Sequence, residues 1–351
     1  GRATMIGNSG VCMAHWRIAA QRPPHLACLA AWEGQGDLYR ESYFCGGIPN
    51  PDYETHIIQA LAVNNYIEDT PAMVAKYPLM NAYYRDKIVD WNKIRIPTYV
   101  TAGWVHHHLR GAFEGFRRIR TPKKWMRAHR DFEWPDTYTP ANMEDVRKFF
   151  DRYCKEIHNG WEMTPRVRID VMDGYDYDYA SKRAEDTFPL KRTEYKKLYL
   201  DAANHEAGFE EYPEESEVVY DPKTETTTFT YQFAEDTEIT GFMKLHLEVE
   251  CRGRVIHAFG LGAAHDGGLN AARPVPCECD LRHRHAVVGC DLGHALNDGH
   301  VDGAVVVVLV DHGLVGGAAR AGALPRGAAQ VAGRHGAVRR DGHIVLTAYW
   351  D

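Results

Sequence analysis

The chain has 351 residues, 44% of them hydrophobic and 25% charged, with a formal net charge of −7. That length fits one large or two ordinary globular domains. The negative balance gives no reason to expect nucleic acid or an anionic membrane, and no apolar run approaches the ~20 residues of a membrane span.

The first element is a short apolar run, Ala3 to Ile6, which reads as the end of a buried strand. Gly7-Asn8-Ser9-Gly10 then forms a tight turn, with glycines close to the serine to relieve crowding. Val11 to Ala20 reads as a helix with Val11, Ala14 and Ile18 on one face. Ser9 then sits on a strand-to-helix elbow as a candidate nucleophile, and the Gly10 backbone N–H is the candidate oxyanion donor. The motif departs from G-x-S-x-G at Val11, and taken alone it is an ordinary turn.

Residues 42–90 are rich in aromatic and polar groups without a strand pattern, as in a helical cap. Ile94 to Ala102 predicts a buried strand, Arg110 to Arg118 a helix, and Lys124 to Ala128 a short strand. Met143 to Glu156 is amphipathic, with Val146, Phe149, Phe150 and Tyr153 at helical spacing. From Val167 the rhythm becomes strand-like, with further runs at Lys197–Leu200, Thr228–Tyr231 and Met243–Val249, which indicates a sandwich.

Beyond residue 250 the character changes. Lys244 is the last lysine, Phe259 the last phenylalanine, and 17 of the 31 glycines lie in residues 251–351. Residues 251–340 therefore read as a frame-shifted or misassembled stretch, with an unusual Gly/Ala-rich loop region as the alternative. Few large side chains are present there to bury, although Val305 to Val310 is a strand candidate and Gly342 to Val345 suggests a closing strand.

Several ordered blocks carry a family resemblance. They include Arg22-Pro23-Pro24-His25-Leu26, Ala31-Trp32-Glu33-Gly34-Gln35-Gly36-Asp37, Tyr84-Arg85-Asp86-Lys87-Ile88 and Ile94-Arg95-Ile96-Pro97-Thr98. Phe113-Glu114-Gly115-Phe116, Asn159-Gly160-Trp161-Glu162 and Pro165-Arg166-Val167-Arg168 continue the series. Over residues 1 to about 250 the chain resembles the cocaine-esterase-like and Xaa-Pro dipeptidyl-peptidase-like hydrolases. The resemblance implies an α/β-hydrolase domain over 1–162, with a cap insertion at about 42–90, then a jelly-roll-like β-sandwich domain over 163–351. Several strands precede the nucleophile in such a domain and only eight residues do here, so the first strands and an upstream oxyanion loop are expected to be missing.

The family pattern places the catalytic histidine at His129. The aspartate expected after Gly103-Trp104-Val105 is absent, and His106, His107 and His108 stand there instead. Asp131 and Glu114 are weak substitutes. The three histidines read as loop residues, because consecutive side chains do not converge from one strand or helix. Cys277-x-Cys279 with His283, His285 and Cys290 fits no standard zinc spacing. No metal or other cofactor is therefore expected. Glu33 and Asp37 are candidates for the pocket rim, with exposed loop carboxylates as the default. Trp32, Trp104, Tyr83 and Tyr84 are pocket or core aromatics.

The expected function is serine hydrolysis of a small ester or a short peptide such as Xaa-Pro through an acyl-enzyme, impaired by the missing acid. One alternative is an inactive, hydrolase-shaped binding or scaffolding protein. Another is a chain that does not fold stably, because its shortened parallel sheet leaves apolar faces uncovered. The eight cysteines are scattered and no signal peptide is visible, which points to a reducing, cytoplasmic setting. Oligomeric state is not legible.

Overall fold

The computed structural model describes residues 1–45, 48–50, 55–57, 66–104, 106–174, 177–219, 229, 231–232 and 237–242, and strand segments at 255–256, 277–278, 319–321, 338–340 and 343–345. Five strands run side by side in parallel: β1 (Ala3–Asn8), β2 (Leu26–Trp32), β3 (Thr98–Gly103), β4 (Lys124–His129) and β5 (Val167–Gly174). A sixth, β6 (Tyr177–Glu185), turns back antiparallel on β5. The central strands are buried at every position but Ala27, as expected of parallel strands covered on both faces. Because β5 pairs with β4, the sheet runs unbroken past residue 162, where a domain boundary is expected.

Helices cover the two faces. On one side lie α1 (Gly10–Ala20) and α2 (Leu109–Arg118). Their Cys12, Trp16, Ala112, Phe113 and Phe116 join Leu29, Val100, Met126 and Val167 of the sheet in one core. On the other side α3 (Pro140–Tyr153) buries Val146, Phe149 and Tyr153 against Cys28, Tyr99, Trp125 and Trp161. Fully burying one such side chain contributes about 1.5–3 kcal/mol. Two short helices, Thr70–Lys76 and Ala82–Asp86, lie in the stretch expected to form a cap.

Outside 42–90 the predicted strands and helices from Ala3 to Val171 are present, but β1 is an edge strand without a buried residue, not the buried strand expected of Ala3 to Ile6. The face of α1 is not the predicted one: Val11 and Ile18 are exposed, and the buried residues are Cys12, Trp16, Ala19 and Ala20. The large indole of Trp16 sets the rotation by packing edge-on against Trp91. Cys12, Cys28 and Cys154 are free thiols. Among the described residues no helix is long and apolar enough to cross a membrane.

Past β6, Tyr199–Asp201 pairs antiparallel with Glu206–Gly208, and His343–Val345 pairs with Val338–Arg340 and with Tyr231–Gln232. The predicted strands at Met243–Val249 and Val305–Val310, the Cys277–Cys290 cluster as a whole and most of 251–340 lie outside the described residues.

Candidate active site

In a parallel α/β sheet the strand C-termini open onto the ligand crevice. Here those ends carry the chemistry. Ser9 follows β1, Glu33 follows β2, His106 and His108 follow β3, and His129 closes β4. Glu133 opens the short helix Glu133–Thr137, just beyond.

Ser9 has φ 55° and ψ −126°, a strained conformation for a residue with a side chain. It is held at both ends: its N–H donates to the Glu33 carbonyl at 2.8 Å, and its own carbonyl accepts from Met13 N at 2.9 Å. Gly7 makes the turn possible, because a Cβ there would meet Val11 Cγ1 at 2.4 Å. Gly10 is the first residue of α1, and the opening N–H groups of a helix have no intrahelical acceptor.

Ser9 Oγ lies 3.4 Å from His108 Nε2. His108 is fully buried, and its Nδ1 is 3.8 Å from Glu133 Oε2. His106 Nδ1 is 3.4 Å from Glu33 Oε2 and 3.4 Å from Glu133 Oε2. Burial pushes the His106 and His108 imidazoles down to about 4 each, so both are neutral at pH 7. Burial also lifts the Glu133 carboxyl, with the Glu33 charge adding to the effect.

His129 is placed differently from the sequence expectation. Its Nε2 meets Glu33 Oε1 at 2.6 Å and its Nδ1 meets the Asp131 carbonyl at 2.9 Å. Both partners accept, so both nitrogens carry protons. Burial opposes that charge, but the Glu33 carboxylate outweighs it and raises the His129 pKa. The same pairing overcomes the burial of Glu33 and lowers its carboxyl. An imidazolium with both protons engaged has no lone pair for serine. Among the described residues, the imidazole in reach of Ser9 is that of His108.

The two substitute acids are engaged elsewhere. Glu114 pairs with Arg117 and Arg118 along α2, and Asp131 offers His129 its main-chain oxygen. Glu33 and Asp37 are buried, against the exposed default. Of the aromatics, Trp32, Trp104 and Tyr84 are core, with Trp104 stacked on Phe113.

The histidine triplet does converge. One ring nitrogen from each of His106, His107 and His108 lies within 4.8 Å of the other two. The expectation of divergence assumed a strand or helix, whereas His106–His108 form a turn between β3 and α2. Their position after the strand where the family carries its acid was the signal available in the sequence.

The X-Pro dipeptidyl-peptidase C-terminal non-catalytic domain matches residues 159–259. Two crystal structures of a hydrolase from Staphylococcus aureus, described as of the CocE/NonD family, are similar to the chain. One is 31% identical with a TM-score of 0.67, over 82% of this chain and 53% of that one. The other is 24% identical with a TM-score of 0.71, over 99% of this chain and 72% of that one. The chain thus spans about half the length of the first. No curated protein matches it.

Proposed function

The chain belongs to the CocE/NonD, X-Pro dipeptidyl-peptidase-like family, and from that premise we propose that it is a serine hydrolase cleaving an ester or peptide bond through an acyl-enzyme. The observation that carries the reading is the strained Ser9 with its Oγ 3.4 Å from a neutral, buried His108.

In this reading Ser9 Oγ attacks the substrate carbonyl carbon and its proton passes to His108 Nε2. The Gly10 N–H stabilises the oxyanion. Collapse breaks the acyl bond, and the leaving alcohol or amine takes the proton from His108. Water repeats the sequence on the acyl-enzyme and frees Ser9. Glu133, with Oε2 3.8 Å from His108 Nδ1, balances the transient imidazolium. His129 works from behind by fixing Glu33, whose carbonyl in turn holds the Ser9 N–H.

The test is labelling of the folded protein with a fluorophosphonate. Rapid labelling that Ser9→Ala removes is the expected result. A folded protein that stays unlabelled overturns the proposal and leaves a hydrolase-shaped binding protein.

A further inference from the structure

Behind the Ser9–His108 contact lies a group of side-chain donor atoms of which the serine chemistry above uses only the Glu133 carboxylate. Glu33, His106 and Glu133 are each at most 6% exposed, and one donor atom from each lies within 4.8 Å of the others. His106 Nδ1 stands 3.4 Å from both Glu33 Oε2 and Glu133 Oε2. Charge-assisted N–H···O contacts are shorter, at ~2.7–2.9 Å. A tetrahedral ion with bonds of ~2.0–2.2 Å has ligand–ligand edges of ~3.3–3.6 Å. The two His106 separations fall on that edge.

A second observation is independent of the spacing. Among the described residues, Glu33 Oε2 is fully buried without a hydrogen-bond partner, as is His108 Nδ1. An unpaired buried carboxylate oxygen is costly. The His108 backbone N–H approaches His106 Nδ1 at 3.5 Å, which places a lone pair on that nitrogen. A cation at this cluster would satisfy the unpaired Glu33 oxygen.

We propose that Glu33 Oε2, His106 Nδ1 and Glu133 Oε2 bind one divalent transition-metal ion, zinc by the chemistry of the donors, with His108 Nδ1 at the margin of the site. An outer layer holds the ligands in place. His129 Nε2 grips the other oxygen of Glu33 at 2.6 Å, and Asn8 Nδ2 donates to Glu133 Oε2 at 2.5 Å. Such partners orient ligands and tune affinity. The site does not depend on Ser9 being a nucleophile.

The test is a titration of the full chain with Co²⁺, which absorbs in the visible when tetrahedrally bound. One equivalent is expected to give a band that Zn²⁺ displaces. Glu133→Gln and His106→Ala lose the band, and His129→Gln weakens binding by roughly 10–100-fold. Ser9→Ala binds as the parent does, so a failure of labelling and a failure of metal binding are read separately. No band at excess Co²⁺ overturns the proposal. So does a band that survives in both ligand variants, since it then arises from histidines elsewhere. Glu133→Gln keeps the side-chain shape and decides the matter if His106→Ala does not fold.

Discussion

The Ser9 elbow and the chamber behind it are built on different terms. The elbow is partly exposed and is set by backbone: one glycine, one strained residue and two main-chain hydrogen bonds. The chamber is buried and is set by charge, with Glu33, His106, His108, His129 and Glu133 all near zero exposure. A nucleophile placed by the main chain keeps its geometry when a neighbouring charge changes. A base placed by buried charges does not, because each ionised group there needs its partner.

The largest effect separates the two histidines. With labelling and turnover as readouts, Ser9→Ala abolishes both, and His108→Ala lowers turnover by up to about 10⁶-fold. His129→Gln is expected to cost stability more than labelling rate. Equal losses in a folded His129→Gln protein would return the role of base to His129.

Next is the buried pair that closes the chamber. Arg127, itself 2% exposed, forms two hydrogen bonds with Asp136, so Arg127→Met is expected to lower unfolding free energy by about 3–5 kcal/mol in denaturant titration. An unchanged midpoint would show that charge does not organise this region.

Glu41 is a third kind of buried carboxylate, held by main-chain N–H groups of Gly36 and Asp37 at 2.8 and 3.0 Å. Burial, with Asp37 adding, pushes it up to about 7 from 4.5. The folded state therefore favours its protonated form. The stability it contributes is complete below pH 4.5 and is lost as pH rises to about 7, by up to about 3 kcal/mol. Glu41→Gln is expected to flatten that slope in thermal melts across this window.

The smallest effects test the elbow itself. Gly7→Ala forces a Cβ to 2.4 Å from Val11 Cγ1 and is expected to cost about 1–3 kcal/mol. Gly10→Ala meets nothing within 4 Å and is expected to stay within about 0.5 kcal/mol of the parent. If the two variants melt alike, steric closure at Gly7 is not what shapes the turn.

The sheet and its helices were legible because apolar runs and helical spacing are local signals. The strand-to-helix turn at Ser9 was legible for the same reason, since its glycines are neighbours in sequence. His108 was not, because its approach to Ser9 depends on a turn that folds three adjacent imidazoles together. The burial of Glu33 was hidden too: it depends on His129, 96 residues away, supplying the opposing charge. The rotation of α1 was misjudged because Val11 and Ile18 are apolar, yet the bulk of Trp16 decided which face went inward.

Asn8 occupies the x of Gly-x-Ser, a position the motif leaves free. Its Nδ2 donates to Glu133 Oε2, and its Oδ1 accepts from Trp134 Nε1 at 3.1 Å. One amide thus rivets the strand that leads into Ser9 to the helix that carries Glu133, across 125 positions of sequence. Drift in the segment around Glu133 and Trp134 is therefore transmitted to Ser9 without touching it. In this chain the spelling of the elbow and the spelling of that distant helix form a single word, and a change in either has to be matched in the other.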